Sequence, residues 1–175
     1  FDAYGTLFDV NSAAEKCKEK IGDKWESFAN YWRTTQLEYT WLRSLMKRHK
    51  DFWQVTEDSL DKSLLAFKID PNMRSELLNL YKILNTFPEV KDVLKNLKEK
   101  KYKISILSNG TPDLLDALVK SNDLEKMFDD IFSIEEVGIY KPDEKVYDMP
   151  IKKYKVEKNE VAFLSANTWD VSGAG

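Results

Sequence analysis

The sequence has a single cysteine, Cys17, and a single histidine, His49. One cysteine excludes an internal disulfide and a multi-cysteine metal site, and it fits a reducing, cytoplasmic compartment. Cys17 stands in a charged helical stretch and is read as structural. His49 sits in Lys47-Arg48-His49-Lys50, a solvated helix end. Neither a Ser-His-Asp nor a Cys-His mechanism therefore has a well-placed imidazole, and any hydrolytic chemistry falls to carboxylates. No apolar run is long enough to span a bilayer, and no signal-peptide pattern is present, so no membrane partner is expected. A strong charge of either sign is also lacking. Net charge is -3, which points to no nucleic-acid partner. Lysine-rich runs such as Lys98-Glu99-Lys100-Lys101 are mixed with acids and read as solvated helix faces. There are no internal repeats and no low-complexity linker. What is present is ordinary for a globular protein: 42% hydrophobic and 33% charged residues. The 175 residues suffice for one domain with a good core, or a core plus a small inserted subdomain.

The chain is organised around its first seven residues, Phe1-Asp2-Ala3-Tyr4-Gly5-Thr6-Leu7. An acid after an apolar residue, then a glycine turn, is how a buried parallel strand delivers a carboxylate to the carboxyl edge of a sheet. Gly5 permits the sharp turn, and Thr6 returns a hydroxyl beside the acid. A carboxylate held there can act as a covalent nucleophile. The plainer alternative is a strand-ending turn with a capping Asp, since so short a pattern recurs by chance. Only Phe1 precedes Asp2, and the chain stops at Ser172-Gly173-Ala174-Gly175, where a helix is starting. A longer protein is expected around this stretch.

Residues 9 to 86 read as wholly helical. Asn11-Ser12 followed by Glu15 is a capping-box start. A long helical pattern runs from Asp23 to about Lys50, carried by Trp25, Phe28, Ala29, Trp32 and then Leu37 and Trp41. A third helix is expected after Thr56. A fourth opens at Asp70-Pro71, an N-cap followed by proline at the first helical position. Four amphipathic helices on short loops predict a small bundle. After Phe87-Pro88 the pattern changes. A helix with Val90, Val93, Leu94 and Leu97 leads to a strand over Tyr102–Leu107. Asp130–Ser133 and Val161–Leu164 are two further strands, with helices opening at Thr111-Pro112 and at Lys141-Pro142. Pro150 should kink or end the latter. Strands alternating with helices predict a parallel sheet with right-handed crossovers.

Every strand end carries polar residues of a useful kind. Asp2 and Thr6 follow the first strand, and Ser108 and Asn109 the second. Lys141 follows the third, and Ser165, Asn167 and Asp170 the fourth. Any one of these is explained as a cap or turn residue. Four successive strand ends supplying two acids, a lysine and several hydroxyls and amides are poorly explained so.

These motifs, Phe1–Leu7, Leu107-Ser108-Asn109-Gly110, Tyr140-Lys141-Pro142 and Ser165–Asp170, resemble the four ordered motifs of the haloacid dehalogenase superfamily. The inserted stretch with Trp32-Arg33 and Gln36–Met46 is similar to the cap of the L-2-haloacid dehalogenases. The resemblance covers nearly the whole chain. It implies an α/β fold: a Rossmann-like parallel sheet core, residues 1–8 and 87–175, incomplete at both ends, with an inserted helical-bundle cap subdomain, residues 9–86. It implies a hydrolase that converts short (S)-2-haloalkanoic acids to (R)-2-hydroxyalkanoic acids through an aspartyl ester, without cofactor or metal. Asp2 would be the nucleophile, supported by Thr6. Ser108 and Lys141 would hold the substrate carboxylate, with Lys141 also the counter-charge of Asp2. Arg33 and Asn109 would receive the halide. Tyr147, Ser165, Asn167 and Asp170 would position Lys141, Asp2 and the hydrolytic water. Tyr4, Leu37, Phe52 and Trp169 would wall an apolar pocket. The partners implied are the 2-haloacid and water, with a homodimer by analogy.

The chemistry of these roles is coherent. Displacing halide from saturated carbon needs an in-line nucleophile. The halide leaves as an anion and needs donors but no proton. Phosphatases of the same superfamily carry a second acid two residues after the nucleophile, where this chain has Tyr4, and paired acids in the last motif for Mg²⁺, where it has only Asp170. Thr34, after Arg33, departs from the longer amide common in close relatives. Two alternatives remain beside the dehalogenase: a phosphatase of this fold, and a catalytically silent interaction domain.

Overall fold

A computed structural model describes all 175 residues. The chain divides into two compact units, Phe1–Phe8 with Thr86–Gly175, and Asp9–Asn85. No helix is long and apolar enough to cross a membrane.

The first unit contains α6 (Val90–Glu99), β1 (Ser105–Ser108), α7 (Pro112–Ser121), β2 (Asp130–Ser133), α8 (Glu144–Tyr154) and α9 (Thr168–Ala174). β1 and β2 pair in parallel, with Ser105 opposite Asp130 and Ser108 opposite Ser133. Ile106, Leu107, Leu115, Leu118 and Phe132 are buried between this pair and the helices. That burial fits the apolar runs of a parallel sheet covered on both faces. Two of the four expected strands are not formed as such. The Phe1 carbonyl accepts from Leu107 N–H at 2.8 Å, and Asp2 N–H donates to the Leu164 carbonyl at 2.9 Å. The Phe1-Asp2 segment thus lies alongside β1, and the Leu164 segment lies on the other side of Phe1-Asp2, both in strand-like positions. β1 also starts three residues later than expected, at Ser105.

Two helical details of this unit differ from expectation. α8 begins at Glu144, capped by the Asp143 carboxylate, which accepts from Lys145 N–H at 3.0 Å. Lys141 therefore precedes the helix and does not head it. Pro150 lies inside α8, which nonetheless runs on to Tyr154. One ladder bond is forgone there, while Val146 and Met149 stay buried and hold the helix to the core.

The second unit contains α1 (Ser12–Glu15), α2 (Lys18–Ile21), α3 (Trp25–Leu45), α4 (Phe52–Phe67) and α5 (Arg74–Tyr81). α3 packs on α4, and α1 packs on both α3 and α5. Phe28, Trp32, Phe52, Val55, Leu60 and Leu77 form its buried centre. α4 starts four residues before Thr56, because Asp51 accepts from Gln54 N–H at 2.8 Å and caps it. Asp70 caps the next helical segment with Pro71 at its first position, through a 3₁₀ turn over Pro71–Met73. The expected capping box at Asn11 is absent. Ser12 Oγ instead donates to the Asp9 carbonyl at 2.7 Å, and Asn11 N–H donates to the Asp9 carboxylate.

Candidate active site

The site of the first unit is assembled from short segments that end beside one another. Asp2 N–H on the Leu164 carbonyl sets the Asp2 side chain next to Ser165. Gly5 then reverses the chain at φ +88°, a region L side chains rarely enter. The reversal returns Thr6, whose hydroxyl donates to Asp2 Oδ2 at 3.2 Å and accepts from Ala166 N–H at 3.0 Å. Asn167 Nδ2 donates to the same Asp2 oxygen at 2.9 Å, and Ser165 Oγ at 3.4 Å. The other oxygen, Oδ1, accepts from Lys141 Nζ at 3.1 Å.

Lys141 is 1% exposed and also donates to Asp170 Oδ2 at 2.9 Å. Asp170 is fully buried. Its second oxygen accepts from the Tyr147 hydroxyl at 2.6 Å. Burial, and then this bond to the carboxylate, raise the Tyr147 pKa, so the hydroxyl remains a donor. Tyr147 reaches Lys141 only through Asp170. The phenyl ring of Phe163 lies 4.9 Å from the ammonium and meets the Tyr147 ring edge-on at 5.6 Å. Two carboxylates and one ammonium are thus buried together. Each charge is paired and hydrogen-bonded, which a buried charge requires.

The end of β1 joins the same cluster. Asn109 Oδ1 accepts from the backbone N–H of Lys141 at 3.1 Å. The buried Ser108 hydroxyl accepts from Gly110 N–H at 3.1 Å and keeps its own proton to donate. Tyr4 is buried against Gly110, where an added Cβ would stand 2.9 Å from the tyrosine ring. Trp169 precedes Asp170 in the first turn of α9. A cavity of about 340 Å³ beside α6 borders the cluster through Thr6, Phe163 and Ser165, but Asp2, Lys141 and Asp170 do not line it. Arg33, Leu37 and Phe52 belong to the second unit. There Arg33 is half-buried and donates to Gln36 Oε1 at 2.9 Å, and Phe52 is fully buried at the start of α4.

A family model described as haloacid dehalogenase-like hydrolase matches residues 1–175. The chain belongs to this family of hydrolases. It is 42% identical over 176 residues to an (S)-2-haloacid dehalogenase of Pseudomonas sp. (strain YL), covering 99% of this chain and 76% of the relative. It is 38% identical over 177 residues to (S)-2-haloacid dehalogenase 4A of Burkholderia cepacia, covering 100% and 77%. Among solved structures, the L-2-haloacid dehalogenase of Xanthobacter autotrophicus with chloropropionic acid covalently bound matches with a TM-score of 0.91 and 38% identity, over 99% of this chain and 71% of that one. The α/β fold expected from the sequence is the fold of these haloacid dehalogenase-like hydrolases.

Two residues of this dehalogenase-like site went unnoticed in the sequence. Phe163 was legible in principle: a segment of period two places it on the same face as Ser165. Gly173 was not, because its role is a close approach. A Cβ there would stand 2.5 Å from Pro142 Cβ and 2.9 Å from the Tyr147 hydroxyl. Gly173→Ala should push α9 off Tyr147 and lengthen the bond to Asp170. Overpacking of this kind typically destabilises by about 1–3 kcal/mol. A fall in Tm together with reduced turnover is the expected result, and wild-type values for both would contradict it.

Proposed function

We propose that the protein is a hydrolytic dehalogenase of short (S)-2-haloalkanoic acids, giving the (R)-2-hydroxy acids through an ester on Asp2. The observation that carries this reading is the environment of Asp2. Three donors from Thr6, Asn167 and Ser165 converge on Oδ2, while Oδ1 accepts a single bond from Lys141. Oδ1 therefore keeps a lone pair for in-line attack. Attack forms the Asp2 oxygen–carbon bond as the carbon–halogen bond breaks, and halide leaves with the bonding pair. Water then adds to the Asp2 carboxyl carbon, helped by Asp170 as base. The ester opens to hydroxy acid and free Asp2.

The ammonium of Lys141 is taken up by two carboxylates, which supports its holding Asp2 and Asp170 apart and in place. The substrate carboxylate is then assigned to Ser108, whose hydroxyl proton is available. Asn109 turns its amide oxygen to Lys141, which leaves its Nδ2 as the end suited to an anion. Arg33 is assigned the departing halide, and Tyr4, Leu37, Phe52 and Trp169 the apolar wall. The helical unit would serve as a cap that excludes water. A cytoplasmic homodimer completes the reading, supported by the unpaired Cys17 and by exposed Leu42, Leu45 and Leu65 on α3 and α4, with exposed Met46 just past α3.

Halide release from (S)-2-chloropropionate tests the function directly. Release of chloride with formation of (R)-lactate is expected. Hydrolysis of a phosphate monoester in its place would make the protein a phosphatase. Turnover should be unchanged by EDTA and by added Mg²⁺. Lys141 already stands between the two acids that could ligate a cation, and Tyr4 replaces the acid a phosphatase needs. Loss of activity in chelator, restored by Mg²⁺, would contradict this.

A further inference from the structure

We infer that Gln36 is a positioning residue for the reaction, holding the Arg33 guanidinium in the orientation that receives halide. The inference rests on the dehalogenase reading and on the role assigned there to Arg33. Gln36 is 1% exposed on α3, one turn after Arg33. Its amide orientation follows from the bonds around it. Thr56 Oγ1 donates to the Phe52 carbonyl at 2.7 Å, so toward Gln36 it can only accept. The Gln36 nitrogen must therefore face Thr56, at 2.7 Å, and it also lies 3.0 Å from the Tyr81 hydroxyl. With the nitrogen fixed on that side, Oε1 is turned to the Arg33 Nη1, 2.9 Å away. The Thr56 carbonyl meanwhile accepts from Trp32 Nε1 at 3.2 Å, which anchors the residue preceding Arg33.

A neutral acceptor at this point has a chemical consequence. It orients the guanidinium and, being neutral, adds no counter-charge of its own. A glutamate would form an ion pair with Arg33 and would also set a carboxylate oxygen against the committed Thr56 hydroxyl. A chloride substrate depends more on leaving-group stabilisation than a bromide substrate, because chloride is the poorer leaving group. Misplacing Arg33 should therefore reduce chloride turnover more than bromide turnover. A loss of general packing would reduce both alike.

The test compares kcat on (S)-2-chloropropionate and (S)-2-bromopropionate for the wild-type chain, Gln36→Met, Gln36→Glu and Tyr81→Phe, with Tm measured for each. Loss of a hydrogen bond to a charged group typically corresponds to a change on the order of 10- to 100-fold. We expect a loss of that order on the chloro substrate for Gln36→Met and a several-fold smaller loss on the bromo substrate. Gln36→Glu should show the same asymmetry, together with weaker product inhibition by bromide. Tyr81→Phe keeps the packing volume and should shift the ratio in the same direction, which decides the matter if the Gln36 variants do not fold. Equal losses on the two substrates, or unchanged kinetics in a folded variant, overturn the inference and leave the dehalogenase reading intact. A wild-type chain that releases neither halide overturns that reading, and this inference with it.

Discussion

Asp2→Asn should abolish halide release, with a loss on the order of 10⁴-fold or more, as for other residues that form the covalent intermediate. The geometry explains why an isosteric amide cannot substitute. Thr6, Asn167 and Ser165 all donate to one side of Asp2, so the amide oxygen of the variant would face them. Its NH₂ group would then face the Lys141 ammonium, donor against donor, where Asp2 Oδ1 now accepts at 3.1 Å. Loss of activity alone does not distinguish a nucleophile from a general base acting on water. A single turnover in ¹⁸O-water with enzyme in excess does. Attack by Asp2 gives product whose hydroxyl oxygen came from Asp2, so the first-turnover product is unlabelled and the label is left in the Asp2 carboxylate. Label in the first-turnover product would show direct attack by water. The cluster of Asp2, Lys141 and Asp170 would then require a different mechanism on the same fold.

Lys141→Met should damage folding and catalysis together. The ammonium is 1% exposed and bonded to two buried carboxylates, at 3.1 and 2.9 Å. Removing it leaves Asp2 and Asp170 as uncompensated neighbours. Breaking a buried pair in this way typically destabilises by about 3–5 kcal/mol. Turnover should fall by at least about 10²-fold, the loss seen when one preorganised electrostatic group is deleted. The double variant Lys141→Met/Asp170→Asn separates the two effects. Removing one of the two like charges should return part of the lost Tm, measured by thermal unfolding. Turnover should stay low, because Asp2 still lacks its counter-charge and the water its base. A double variant that recovers activity along with stability would reduce Lys141 to a structural cation.

The two oxygens of the Asp2 carboxylate have different partners, and this asymmetry is the main chemical feature of the site. The oxygen with three donors is held in place. The oxygen with one keeps a lone pair, and it is the atom proposed to attack. The Tyr147 hydroxyl extends the same logic outward, fixing Asp170 so that Asp170 in turn fixes Lys141.

The residue types of the site, and their placement at the ends of successive strand segments, were legible in the chain itself. The Asp2–Gly5–Thr6 turn, the Asp70-Pro71 cap and the Asp130–Ser133 strand are local patterns, set by backbone sterics and by neighbours within a few residues. Chemistry by elimination was legible too, since one histidine and one cysteine leave only carboxylates to act. The reading of His49 as a solvated helix end was wrong: the residue is half-buried and its Nδ1 is buried, which the charged neighbours Lys47, Arg48 and Lys50 gave no sign of. Local patterns failed where a distant partner competes. Ser12 Oγ accepts from Asn85 N–H, 73 residues away, at 3.1 Å while donating to the Asp9 carbonyl, and is thereby drawn from its capping box. The contacts that give the site its chemistry were decided by tertiary structure alone. Lys141 meets Asp2 across 139 residues of sequence, and Asn167 meets it across 165. Which Asp2 oxygen each donor chooses, which way the Gln36 amide turns, and why position 173 admits no side chain depend on distances of a few tenths of an ångström. Sequence periodicity places a residue on a face of a helix or strand. Only packing in three dimensions sets which atom it meets.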